Sequence, residues 1–334
     1  MKVKFFIVIF KHRFRTQAFN NFLKLNKIQN NYLLNFSGPL RYVIFFKFFN
    51  LISKIFKNIC LISCDGLPLL YENGVNIWFG GTSLKLDKLK ISSKKNCFVF
   101  DNFIKREKNL ISFYPTLIKN VKLKKNPKIV FIGDINFKTI NKKIKKIWLK
   151  NRRKIYEDFT IIENPEFWKK HNYQNQIELL EDYINLKNIL RYSVIESLSK
   201  LYPEKLLLVG DVWKKFKNSL NNNYDIKFVN NIYSGNICID FGSKWGDNSL
   251  YPRSVQIIEN GGLILQIKQK NSDIVFHSLK KNLNFKNFND LKLKLSVLLK
   301  DNDFANENLR KLRNRFSNNK NNCKTLDKIF KISR

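Results

Sequence analysis

The feature that most restricts the fold is a short apolar run, rich in β-branched and aromatic residues, that in several places stops at Gly or Asp. It recurs along the chain. Phe5 to Phe10 is one case, and Ile59 to Ser63 ahead of Cys64-Asp65-Gly66 is another. Ile129 to Ile132 ends at Gly133-Asp134, and Leu206 to Val209 ends at Gly210-Asp211. Ile237 to Ile239 ends at Asp240, and Leu263 to Ile267 is a further run, ending at Lys268. Such runs are too short for helices and apolar at odd and even positions alike. Strands of this kind are buried on both faces, as in parallel sheets covered by helices. Tyr32 to Phe36, Val75 to Phe79, Cys97 to Phe100 and Ile226 to Val229 read as further strands.

Helical patterns lie between the strands. They fall at Gln17 to Leu25, Pro39 to Asn58, Arg191 to Leu201, Tyr251 to Asn260 and Asp290 to Ile332. Residues 136–190 are mostly polar and helical. Alternating strands and helices predict an α/β layer architecture. A chain of 334 residues is long for one domain and natural for two. The lysine-rich stretch Lys119 to Lys128, with Asn126-Pro127, is the expected linker. It divides a first domain, residues 1–125, from a second, residues 126–334.

Composition narrows the function classes. Apolar residues make up 44 % of the chain and Phe alone supplies 30, enough for a packed core and against wholesale disorder. No apolar run is long enough for a membrane-spanning helix. The Phe5 to Phe10 run is too short for a signal peptide and ends at Lys11-His12-Arg13, so it reads as a first strand. Five scattered cysteines predict reduced thiols in a cytoplasmic protein, with no metal-ligand spacing among them. Net charge is +36, carried by 50 Lys against 12 Arg, with 2 Ala and 1 Met. That bias fits an AT-rich coding sequence and accounts for part of the charge. A positive field of this size still favours an anionic membrane surface or a phosphorylated substrate. Nucleic acid is a weaker expectation, because Arg clusters with interleaved aromatics are missing. Pro39 to Asn58, Phe-rich with Arg41, Lys47, Lys54 and Lys57, is either an interfacial helix or a core-packed one.

The strongest local signal for chemistry runs from Ser249-Leu250-Tyr251-Pro252-Arg253 to Glu259-Asn260-Gly261-Gly262. Pro252 in the first turn opens a helix. Its free N–H groups and dipole can hold a phosphate, and Arg253 can add a bidentate contact to a diphosphate. Gln256 lies one turn on, on the same face. In open parallel sheets such helices border the ligand crevice. By the same rule, residues that follow strand ends face a ligand, which selects His12, Asp65, Gly80-Gly81-Thr82 and Asp101 in the first domain. His12 or Asp65 can act as general base on an acceptor hydroxyl. The one Asp-x-Asp, Asp301-Asn302-Asp303, reads as a helix cap rather than a metal site.

The second domain resembles the two-Rossmann-domain (GT-B) glycosyltransferases of group 1, in their spore-maturation-type branch. The matching segments occur in order. They are Ile129 to Gly133, Arg191 to Trp213 with its strand-Gly-x-x-Trp unit, Asn236 to Asp240, Pro252-Arg253 to Gly262, and the helices from Ser278. They span roughly the last two hundred residues. The resemblance implies two Rossmann-like domains facing a cleft, a nucleotide-sugar donor as substrate with no resident cofactor or metal, and a glycan or lipid-linked acceptor in surface-polysaccharide assembly. It implies a cytoplasmic enzyme, peripheral at the inner face of the membrane. Its donor-binding positions fall on Gly133, Asp134, Gly210, Asp211, Tyr251, Arg253, Gln256, Glu259, Gly261 and Gly262. The family's ribose-binding Glu falls on Gln256, and an earlier Glu falls on Asn248. The missing carboxylates keep a second expectation open, a non-catalytic nucleotide-sugar or glycan-binding protein on the same fold. A basic nucleic-acid-binding protein is the third.

Overall fold

A computed structural model describes the strands at residues 5–10, 33–37, 59–64, 75–79, 97–100 and 110–111, and residues 121–316 apart from 136, 138–139, 172, 174–175, 221–225, 243–251, 270–271 and 273–275. The chain divides into two compact units, Met1–Thr116 with Phe316–Arg334, and Leu117–Arg315.

The first unit holds a six-stranded, wholly parallel sheet in the order β2-β1-β3-β4-β5-β6. The strands are β1 (Phe5–Phe10), β2 (Leu33–Ser37), β3 (Ile59–Cys64), β4 (Val75–Phe79), β5 (Cys97–Phe100) and β6 (Leu110–Ile111). The apolar runs read from sequence coincide with these strands; the two-residue β6 is an addition. Strand order reverses between β1 and β3, whose carboxyl ends pair as Phe10 with Cys64. In sequence, His12 and Asp65 follow these two ends. Both residues lie outside the described residues, as do Gly80-Gly81-Thr82, Asp101 and the helices read at 17–25 and 39–58.

The second unit holds a five-stranded parallel sheet, order β11-β10-β9-β7-β8. Its strands are β7 (Ile129–Ile132), β8 (Leu206–Val209), β9 (Ile237–Asp240), β10 (Leu263–Ile267) and β11 (Asn284–Phe285). Every residue of β7, β9 and β10 is buried, which is why their sequences show no alternation. Helices cover the sheet: α1 (Lys142–Glu157), α2 (Pro165–Lys169), α3 (Gln176–Leu201), α4 (Ile226–Tyr233), α5 (Pro252–Glu259), α6 (Lys280–Leu283), α7 (Phe288–Lys300) and α8 (Asn302–Phe316). Among the described residues, no helix is long and apolar enough to cross a membrane.

One reading is corrected. Ile226 to Val229 is the start of helix α4, not a strand. Its β-branched residues suggested a strand, but the burial has helical spacing: Val229 and Tyr233, four apart, are both buried. The expected cap is present, since the Asp301 Oδ1 accepts the Phe304 N–H at 2.8 Å as α8 begins.

Candidate functional site

In the second sheet the strand order reverses at β7, whose neighbours are β8 and β9. A crevice outside the carboxyl ends of β7 and β9 is where a doubly wound sheet takes a ligand. Sequence places Gly133-Asp134 after β7, Gly210-Asp211 after β8 and Phe241-Gly242 after β9.

The strand-Gly-x-x-Trp unit has a direct physical cause. The Gly133 N–H donates to the Val209 carbonyl at 2.9 Å. The Trp213 indole N–H donates back to the Gly133 carbonyl at 2.6 Å. Gly210 has φ +146°, and a Cβ there would stand 2.6 Å from that same carbonyl oxygen. Only glycine lets the end of β8 close this tightly on the end of β7. Asp134 completes the clamp: its Oδ1 accepts the Val212 N–H at 3.1 Å. Trp213 is fully buried, stacked on Tyr192 at 5.7 Å and edge-on to Phe131 at 5.6 Å. Asp211 is exposed and pairs with Lys214 at 2.8 Å, which raises the lysine's pKa.

Arg253 lies over Gly133. A Cβ at Gly133 would sit 3.0 Å from Nη2 and 3.2 Å from Cζ of the Arg253 guanidinium. Glycine is thus what lets a planar cation lie against the end of β7. The neighbouring residue fixes the helix that carries it. Ser254, fully buried, donates its hydroxyl to Asp240 Oδ2, and Gln266 Nε2 donates to the same oxygen at 3.1 Å. Asp240 Oδ1 accepts the Gly242 N–H at 3.1 Å. A buried carboxyl at the last position of β9 therefore ties the first turn of α5 to β10 and to the loop after β9.

Gln269, after β10, is 4 % exposed, and neither polar atom of its amide has a hydrogen-bond partner. It lies against Gly242 (φ +64°), where a Cβ would overlap the amide. Buried amides without partners are costly and rare, which makes Gln269 a candidate site residue at this edge.

Gln256 and Glu259 lie farther along α5. Gln256 Nε2 donates to Asn230 Oδ1 on α4 at 3.0 Å, beside Asn260, which donates to the same oxygen at 3.2 Å. Glu259 is buried in the last turn. Gly261 and Gly262 lie at the opposite, amino-terminal edge of the sheet. Gly261 (φ +77°) packs on Val121, and a Cβ at Gly262 would stand 2.9 Å from Cys238 Sγ and from Ile257 Cγ2. Tyr251 lies outside the described residues. Structure thus brings together Gly133, Asp134, Gly210 and Arg253, and adds Asp240, Ser254, Gln266 and Gln269, which sequence reading did not select. The one signal for them was an acid closing an otherwise apolar strand, Ile237-Cys238-Ile239-Asp240. Among the described residues no cluster of His, Cys, Asp and Glu is arranged to hold a metal ion.

No protein-family model matches the chain, and no curated protein matches it. Several solved structures are similar to it at low identity. TarM is 12 % identical with a TM-score of 0.45, over 85 % of this chain and 57 % of that one. A point mutant of S. aureus TarM, in complex with Fondaparinux, alpha-GlcNAc-glycerol and UDP, is 13 % identical with a TM-score of 0.48 and the same coverage. The chain thus spans little more than half the length of the TarM chains. A glycosyltransferase from Rickettsia africae ESF-5 is 11 % identical with a TM-score of 0.45, over 99 % of both chains.

Proposed function

We propose that this chain is a glycosyltransferase of the two-Rossmann-domain (GT-B) kind. It would move a sugar from a nucleotide-sugar to a glycan or lipid-linked acceptor in surface-polysaccharide assembly, at the cytoplasmic face of the membrane. One observation carries the reading: the Arg253 guanidinium laid on Gly133 at the point where strand order reverses, on a helix start tied down by Asp240. A cation held at a helix start suits a diphosphate.

The chemistry follows from charge. As the bond from the anomeric carbon to the diphosphate oxygen breaks, negative charge grows on the leaving group. Arg253 and the α5 N–H groups stabilise it there, the task a metal ion performs in other transferases. The acceptor oxygen forms the new bond to the anomeric carbon and gives its proton to a base, for which His12 and Asp65 are the candidates. Gln269, buried and unsatisfied, supplies both a donor and an acceptor for sugar hydroxyls. Gln256 has its Nε2 engaged by Asn230 and offers Oε1 to the ribose. Tyr251, Asp211 and Gly210 border the same crevice in this reading.

A second reading, a nucleotide-sugar-binding protein without turnover, is favoured by that Gln256–Asn230 bond where the family carries a Glu. Thermal-shift binding of nucleotides and nucleotide-sugars tests the first step. A donor that binds the folded state raises the melting midpoint, and Arg253→Ala abolishes the rise. No rise from any of them, in a protein that melts cooperatively, overturns both readings. Turnover in chelator with a glycan acceptor separates the enzyme from the binder.

A further inference from the structure

Helix α1 carries a surface that the donor site does not use. Eight of its sixteen residues are Lys or Arg, against 62 in the 334 of the whole chain, so the helix is far more basic than overall codon bias explains. Its inner face is apolar: Ile144, Ile147, Trp148 and Ile155 are buried. At the centre of its outer face stands Leu149, 70 % exposed. The residues three and four positions either side of Leu149 are Lys145, Lys146, Arg152 and Arg153, all exposed. On a helix these are its surface neighbours.

The arrangement is unfavourable in the free protein. Like charges three and four apart repel; Lys143 pairs with Glu178 and Asp182, and Arg153 with Glu157. A large aliphatic side chain stands in water. The adjoining helix α7, whose Phe288 meets Tyr156 of α1 at 5.7 Å, exposes Leu293 (65 %) and Val297 (41 %) as well. A surface that is both strongly cationic and studded with leucine fits one partner best. An anionic bilayer offers phosphates to the charges and acyl chains to the leucine. Nucleic acid satisfies only the first.

We infer that the outer face of α1, centred on Leu149 within its ring of four cations, docks the second unit on an anionic phospholipid surface. The inference rests on the membrane-peripheral part of the proposed function and on nothing in the donor site. The test is flotation of the full chain with phosphatidylcholine–phosphatidylglycerol vesicles and with phosphatidylcholine vesicles, at physiological ionic strength. Three variants are compared with the natural chain. One carries Lys145→Glu, Lys146→Glu, Arg152→Glu and Arg153→Glu. A control carries Lys200→Glu, Lys205→Glu, Lys217→Glu and Lys281→Glu, the same change in net charge on exposed residues elsewhere. The third is Leu149→Gln, which leaves charge unaltered.

The natural chain is expected to bind the anionic vesicles alone. The α1 variant should lose about tenfold or more in affinity, the control less than about threefold, and Leu149→Gln about fivefold. Melting midpoints establish that each variant is folded. If the glutamates unfold α1, the same four positions changed to Gln repeat the comparison. Equal losses in the two charge variants overturn the assignment in favour of diffuse attraction. Binding that survives the α1 variant moves the docking surface elsewhere, with residues 39–58 the next candidate. A natural chain that ignores anionic vesicles ends the membrane reading itself and leaves the donor site untouched. Unchanged vesicle binding by Leu149→Gln, with duplex DNA bound more tightly and lost in the α1 variant, assigns the face to nucleic acid.

Discussion

The two edges of the second sheet use glycine for opposite purposes. At the amino-terminal edge, Gly261 and Gly262 close a seam. Gly262 N–H donates to the Ile257 carbonyl at 2.9 Å, Gly235 N–H to the Gly261 carbonyl at 3.1 Å, and both glycines are buried against apolar atoms. At the carboxyl-terminal edge, Gly133 and Gly242 make room for polar groups: a guanidinium and an amide. One edge is finished in the free protein. The other keeps a buried amide unsatisfied. The same residue type thus meets apolar side chains at one end and polar ones at the other, and only its neighbours tell which.

Four substitutions sharpen or break this contrast. The largest effect belongs to the carboxyl that holds the receiving edge together. Asp240→Ala strips the acceptor from Ser254, Gln266 and the Gly242 N–H, and should cost about 3 kcal/mol or more in chemical denaturation. A smaller loss would mean that the α5 start is held by other contacts. Next comes the seam. Gly262→Ala pushes a methyl into Cys238 Sγ, Ile257 and the Tyr233 carbonyl, and should cost about 1–3 kcal/mol with nucleotide affinity unchanged. If affinity falls as much as stability, the two edges are not independent.

Arg253→Ala should do the reverse. Affinity for a nucleoside diphosphate drops by about 2 kcal/mol, measured by calorimetry, while the melting midpoint holds. Gln269→Leu is the subtlest. Replacing an unsatisfied buried amide with an aliphatic group should leave stability unchanged or raise it by about 1 kcal/mol, and weaken binding of the sugar-bearing donor but not of the bare nucleotide. Loss of stability there would show that the amide is not idle in the free protein.

Much of the fold was legible in the sequence because β7, β8, β9 and β10 are short apolar runs with stops, and burial on both faces leaves little else that such runs can form. The reading failed at α4, where β-branched residues suggested a strand and helical packing of Val229 and Tyr233 prevailed. Of the site, Arg253 and Gly133 were visible as a charged residue at a helix start and a glycine at a strand end. Asp240, Ser254, Gln266 and Gln269 were not. Their importance lies in burial and, for Asp240, Ser254 and Gln266, in mutual bonding, and a Ser or Gln in sequence carries no trace of either.

The clamp of Gly133, Gly210 and Trp213 has a consequence for how the chain acquires its shape. β7 and β8 are hydrogen-bonded neighbours, yet the whole of α1, α2 and α3 lies between them in sequence. Bringing their ends together costs the closure entropy of that long crossover, so their pairing is expected to be slower than helix formation within it. Until they pair, the Trp213 indole cannot reach the Gly133 carbonyl. Emission from that one tryptophan, with Trp78, Trp148, Trp168 and Trp245 replaced by Phe, would therefore time the pairing of β8 with β7.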